Sequence, residues 1–229
     1  MTIEKVTTVD PVEEINTLVS KALVALDEFR LLNQEQVDNI VEKASAAARD
    51  AARILAQHAN EETGRGVFED KVTKNLFASE NVANYLRGLK TVGIVDKNES
   101  DGLTTIADPV GVVCAMVPTT NPTSTTIFKS LISLKTRNPI IFSFHPAANE
   151  SSKQTARIVR DAAIKAGAPK GCIQFIEEPS LDATNALMKH DGVSIILATG
   201  GSAMVKAAYS CGKPALGVGP GNVPAYVHK

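Results

Sequence analysis

Residues 109–146 read PVGVVCAMVPTTNPTSTTIFKSLISLKTRNPIIFSFHP, a strand, a polar loop, a helix and a second strand. Val110 to Val117 is a nearly unbroken apolar run, the pattern of a strand buried on both faces of a parallel sheet. Pro118 closes it, because proline has no amide to give to a ladder. The loop Thr119-Thr120-Asn121-Pro122-Thr123-Ser124 carries small hydroxyls and one amide. Ile127, Leu131 and Leu134 then share a helical face, and Ile140 to Phe144 is the next apolar strand. In such a βαβ unit the polar loop lies at the carboxyl end of a strand, where open α/β sheets bind ligands. Position alone equally allows a structural crossover with a polar turn.

Downstream the alternation continues. Ser151 to Ala166 reads as a helix ended by Gly167, with Pro169 beyond it. Cys172 to Ile176 is a strand, and Ser180 is placed to cap a helix reaching Lys189. Val193 to Leu197 is a strand, Thr199-Gly200-Gly201-Ser202 a tight turn, Ala203 to Tyr209 a helix, and Pro214 to Val218 a last strand. The expected fold is α/β: a Rossmann-like, mostly parallel sheet with flanking helices and right-handed crossovers.

Upstream the period is helical. Asp10-Pro11-Val12-Glu13 combines a capping aspartate, a proline for the first turn and a glutamate for a capping box. Ile15, Leu18, Val19, Ala22, Leu23 and Leu26 recur at helical spacing, and a second helix starts at Asn33-Gln34-Glu35-Gln36, its stripe running from Val37 to Leu55. Thr63-Gly64-Arg65-Gly66 breaks the pattern, and a helix resumes from Phe68 to about Leu86 with Phe68, Val72, Phe77 and Val82 inward. Glu61, Glu62, Glu69 and Asp70 read as solvated helix ends rather than paired catalytic carboxylates. Thr91 to Val95 and Leu103 to Ile106 flank Asp101-Gly102 as a β-hairpin. The expected division is a helical segment with a hairpin arm at 1–108 and an α/β region at 109–229.

Among 229 residues, Lys plus Arg number 24 and Asp plus Glu 25, for a net charge of −1. That balance argues against a nucleic-acid partner. The apolar runs are too short to span a membrane, and MTIEKVTTVDPVEE has no apolar signal core, so a cytoplasmic setting is expected. Cys114, Cys172 and Cys211 lack CxxC spacing and read as reduced thiols; with four dispersed histidines, no metal site is expected.

The stretches VPTTNPTS and FKSLISLKTRNPIIFS carry a resemblance that continues through FEDKVTKNLFASE before them and LATGGSAMVKAAYSCGKPALGVGPGN after them. Together they resemble the N-terminal part of the aldehyde dehydrogenase superfamily, and more narrowly the CoA-acylating acetaldehyde dehydrogenase module of bifunctional aldehyde-alcohol dehydrogenases. The resemblance covers nearly the whole chain. It implies NAD as cofactor, with coenzyme A and a small aldehyde as substrates. It also implies a homo-oligomer in which the hairpin is the contact arm; a hairpin covered by its own chain is the structural alternative.

Individual residues then take expected roles. Thr199, Gly200, Gly201 and Ser202 join a strand to a helix N-terminus, whose free amides suit a pyrophosphate, although the GxGxxG fingerprint is missing. A plain turn is the alternative from physics alone, and the resemblance favours the dinucleotide. Asn121 is implied to be the oxyanion donor, against an ordinary role capping the turn before Pro122. Pro118, Thr119 and Thr120 are implied to line the nicotinamide side. Ser143 and His145 stand where the wider family has a lysine that reaches the adenosine ribose, and either is a candidate for that contact, with a plain surface histidine after a strand as the equal alternative. Ala215 replaces the glutamate that activates the deacylating water in hydrolytic members, so a thioester would persist for a thiol acceptor. Cys114 sits inside an apolar strand and Cys172 at the start of another, leaving Cys211 as the exposed one. The family nucleophile lies in a later motif, so this segment is expected to hold the cofactor without the catalytic cysteine. The alternatives are a semialdehyde dehydrogenase of the same superfamily and a non-catalytic nucleotide-binding or assembly module.

Overall fold

A computed structural model describes residues 10–221 and 224–228; the start of the stretch read for a signal core, and Asn222 of the closing motif, lie outside them. The N-terminal part is helical: α1 (Pro11–Arg30), α2 (Gln34–Asp50), α3 (Ala52–Thr63), α4 (Phe68–Leu76), a π-helical turn (Phe77–Asn81) and α5 (Val82–Arg87). Asp10 caps α1 by accepting from the Val12 amide, and Asn33 with Gln36 forms a reciprocal capping box on α2. Two inward readings and one helix boundary are corrected. Leu23 is exposed, because Ala25 and Phe29 carry the buried face instead. The second helix is divided into two at Ala51, while Val37, Ile40, Val41, Ala44, Ala48 and Leu55 of its stripe are buried as read. Phe77 is 61% exposed, because the π turn shifts the helical phase and turns Ala78 and Ser79 inward in its place.

The hairpin pairs β1 (Gly93–Asn98) with β2 (Leu103–Ala107), with a bulge between Ile94 and Asp96. Ile94, Leu103 and Ile106 on it are exposed. The α/β part follows as β3 (Val112–Val117), α6 (Pro122–Lys135), β4 (Ile140–Phe144), α7 (Asn149–Lys165), β5 (Ile173–Phe175), α8 (Leu181–Lys189), β6 (Val193–Thr199), α9 (Ser202–Tyr209) and β7 (Ala215–Val218). The five strands pair in parallel in the order β5-β4-β3-β6-β7. Val110 lies outside β3, contrary to the sequence reading. Gly111 turns the chain at φ 131°, and a Cβ there would lie 2.0 Å from Ser194 Oγ.

Side chains alternate across β3. Val113, Ala115 and Val117 pack with Ile40, Leu55, Ile127 and Phe142 on one face. Val112, Cys114 and Met116 pack with Ile15, Val19, Leu187 and Ala208 on the other. The chain moves from β3 through β4 to β5 on one side, then returns to lay β6 on the other. The strand order therefore reverses between β3 and β6, and a crevice opens at their carboxyl ends.

Candidate functional site

That crevice is a cleft of about 980 Å³. Pro118, Thr119, Thr120, Asn121, Ser143, His145, Thr199, Gly200 and Gly201 all line it. Ser202 does not; it is the first residue of α9 and is exposed. The structure thus brings together nine of the ten residues singled out from the sequence, drawn from three strand ends.

Asn121 sits at the N-cap position of α6 yet makes no capping bond. Its amide Nδ2 lies 3.4 Å from Thr120 Oγ1, and its buried Oδ1 has no partner. The capping alternative is therefore set aside. A second, largely apolar groove of about 660 Å³ runs between the α4–π segment and α6, lined by Phe77, Val82 and Phe128 among others. Among the described residues, Asn121 alone lines both cavities.

The loop carrying Asn121 is held from behind by a polar face of α4 that hydrophobic periodicity does not reveal. Lys71 Nζ donates to Thr120 O at 3.3 Å, Thr123 Oγ1 donates to Asn75 Oδ1 at 2.7 Å, and Asn75 Nδ2 donates to Ala52 O at 2.9 Å. Burial, with Lys74 nearby, holds the Lys71 ammonium below the ordinary lysine range. The other unforeseen residue is Lys129 in α6. It is 2% exposed, and its Nζ donates to Met116 O and Leu197 O, both at 2.7 Å. Burial draws its pKa down to about 7. The only signal in the sequence was a charged residue at i+2 from Ile127 on an otherwise inward helix.

On the β4 side, the buried Ser143 hydroxyl is bonded to Thr184 Oγ1 at 2.7 Å. His145 is exposed, and its Nδ1 accepts from the Ala147 amide at 3.1 Å, leaving Nε2 to carry the proton. Across the cleft, Gly201 caps α9 without a side-chain bond, and a Cβ on it would meet nothing within 4 Å. Free helix amides facing open space fit a pyrophosphate. The Gly200 amide donates to Val218 O at 3.2 Å, which ties the turn to β7.

Of the thiols, Cys114 and Cys172 are buried, and burial pushes both up to about 12. Cys211 is half-buried, and its Sγ donates to Ala208 O at 3.0 Å. None lines either cavity. Glu62, read as a solvated helix end, instead accepts the Glu150 and Ser151 amides at 2.9 Å each and so caps α7 across the fold. Among the described residues no group of three or more His, Cys, Asp or Glu side chains is placed to hold a metal, and no helix is long and apolar enough to cross a membrane.

A family model described as the aldehyde dehydrogenase family matches residues 2–219. An aldehyde-alcohol dehydrogenase of Streptococcus pneumoniae serotype 4 is 68% identical over 217 residues, which is 95% of this chain and 25% of that protein. The chain thus spans about a quarter of the length of that curated relative. The crystal structure of an acetylating aldehyde dehydrogenase from Geobacillus thermoglucosidasius superposes with a TM-score of 0.93 at 50% identity, over 96% of this chain and 48% of that one. A propionaldehyde dehydrogenase from Rhodopseudomonas palustris, solved with bound CoA and an acylated cysteine, superposes with a TM-score of 0.79 at 34% identity, over 89% of this chain and 46% of that one.

Proposed function

Because the chain belongs to the aldehyde dehydrogenase family, we propose that it is the cofactor-binding portion of an NAD-dependent, CoA-acylating aldehyde dehydrogenase that interconverts acetaldehyde and acetyl-CoA. In this reading residues 109–229 form the dinucleotide-binding region, and residues 1–108 its helical and arm segment. The observation that carries it is the position of Asn121, free of any capping bond, held by one long 3.4 Å contact from Nδ2 to Thr120 Oγ1, and shared by the polar cleft and the apolar groove.

Bound NAD would supply hydride acceptance. The Thr199–Ser202 turn and the α9 amides would hold its pyrophosphate, and Pro118–Thr120 its nicotinamide side. His145 is the better ribose contact, since the Ser143 hydroxyl is already engaged by Thr184. An aldehyde in the apolar groove would present its carbonyl oxygen to Asn121 Nδ2, which stabilises the charge that develops as a thiolate adds. The acyl group would then rest as a thioester on a cysteine outside this segment. Ala215 offers no carboxylate to activate water, which leaves the CoA thiol as acceptor. The exposed apolar residues of the hairpin support a homo-oligomer, and the unpaired thiols a cytoplasmic setting.

A protein carrying this segment with its catalytic cysteine tests the reading. Given acetaldehyde and NAD, it should form acetyl-CoA only when CoA is present. Acyl phosphate formed with phosphate would point to the semialdehyde relatives, and free acetate formed without CoA would refute the acylating assignment. One observation favours a non-catalytic module for the isolated segment, since none of its three thiols faces a cavity.

A further inference from the structure

Lys129 is an expensive residue for its position. A leucine or methionine would fill the same volume in α6 without desolvating an amine. No ion pair among the described residues includes Lys129. Its two partners are main-chain carbonyls, one near the end of β3 and one near the end of β6. Those strands are neighbours, with Met116 opposite Ala198, and the order of the sheet reverses between them. Two residues beyond Met116 the chain enters the Pro118–Asn121 loop, and two beyond Leu197 it reaches Thr199 and the glycine turn.

We propose that Lys129 is a positioning residue: a strap across the switch point that fixes the separation between the Pro118–Asn121 loop and the Thr199–Ser202 turn. This rests on the dinucleotide reading of the cleft. The strap lies under the roots of both loops, so it acts on any ligand that spans them and not on one that touches a single loop. A neutral amine carries two N–H groups, and two carbonyls receive them. The bridge therefore persists when the proton is lost near neutral pH, and the geometry stays constant where the charge does not.

The test uses the chain as it is, with two probes. NADH spans both loops, whereas ADP-ribose lacks the nicotinamide and needs only the turn and the β4 side. Lys129→Met should weaken NADH at least ~10-fold, a misplacement effect, with ADP-ribose affinity within ~2-fold of the unaltered chain. Lys129→Arg, which keeps donors, should recover part of the loss. A merely structural lysine would lower both affinities together, through the folded fraction, and that result overturns the strap. Equal NADH binding by Lys129→Met also overturns it. If the methionine variant does not fold, the Lys129 ε-methylene resonance of the unaltered chain serves instead: NADH should shift it more than ADP-ribose does, and equal shifts refute the proposal. Failure of the unaltered chain to bind either probe removes the dinucleotide reading itself, and the strap with it.

Discussion

The two walls of the cleft are held in opposite ways. The Pro118–Asn121 loop is fastened by side chains from a second layer: Lys71 on Thr120 O, and Thr123 on Asn75, which is itself anchored to Ala52 O. Among the described residues no side chain donates to or accepts from the Thr199–Ser202 turn itself; the Lys129 bond to Leu197 O lies two residues before it. Its main-chain tie is Gly200 to Val218 O, and the neighbouring Leu216, Val218 and Tyr209 are exposed. The first wall is fixed by these bonds without any ligand, as the proposed chemistry at a carbonyl would require. The second presents bare amides and few constraints, which suits binding a flexible diphosphate. Under the proposed function, the first wall would be the chemical side and the second the grip.

The largest effect that would sharpen this contrast belongs to Asn121. In a full-length protein carrying this segment, Asn121→Ala should lower kcat by ~10²–10³-fold with NAD affinity nearly unchanged. Because the side chain makes no capping bond, thermal stability should hardly move. A clear stability loss beside near-normal kcat would remove Asn121 from the chemistry.

Next comes the fastening of that wall. Thr123→Val leaves the buried Asn75 Oδ1 without its donor and should cost ~1–3 kcal/mol in denaturant unfolding. Ser202→Ala, on the exposed start of α9, should stay within ~0.5 kcal/mol. Equal costs at the two sites would abolish the distinction between the walls.

A pH effect follows from Lys129. The unfolded chain holds this proton up to the ordinary lysine value of 10.5, while the folded chain releases it near 7. Between those values the unfolded state binds the extra proton, so stability rises with pH by up to ~1.4 kcal/mol per unit; below 7 both states are protonated and the slope vanishes. Burial of Cys114 and Cys172 acts in the opposite sense, but only above the ordinary thiol value of 9.0. The stability of the unaltered chain measured relative to Lys129→Met should therefore rise from pH 7 to 9, and a flat relative stability would place the amine elsewhere.

The sheet and both cleft loops were legible because their signals are local. An unbroken apolar run, a proline stop and a Gly-Gly turn each dictate backbone, and the resemblance supplied roles. The supporting layer was not legible, for two reasons. The inward face of α4 is polar, with Lys71 and Asn75 buried and Ser79 continuing it in the π turn, so apolar period points to Phe68 and Val72 instead. Past Leu76 the π turn changes the phase, and Phe77 moves from expected core to groove wall. Lys129 was hidden because a charged residue on a helix reads as surface until a strand end is placed beside it. Ser143 and His145 could be separated only once Thr184 was seen to occupy the serine hydroxyl.

The measurement closest to the central claim is an amide NMR titration of this chain with NADH. Saturating NADH should shift the amides of Thr119–Asn121 and Thr199–Ser202 together, with smaller changes at His145 and little in the hairpin. Shifts confined to other segments, with these two silent, would contradict the assignment of the β3–β6 switch point as the dinucleotide site.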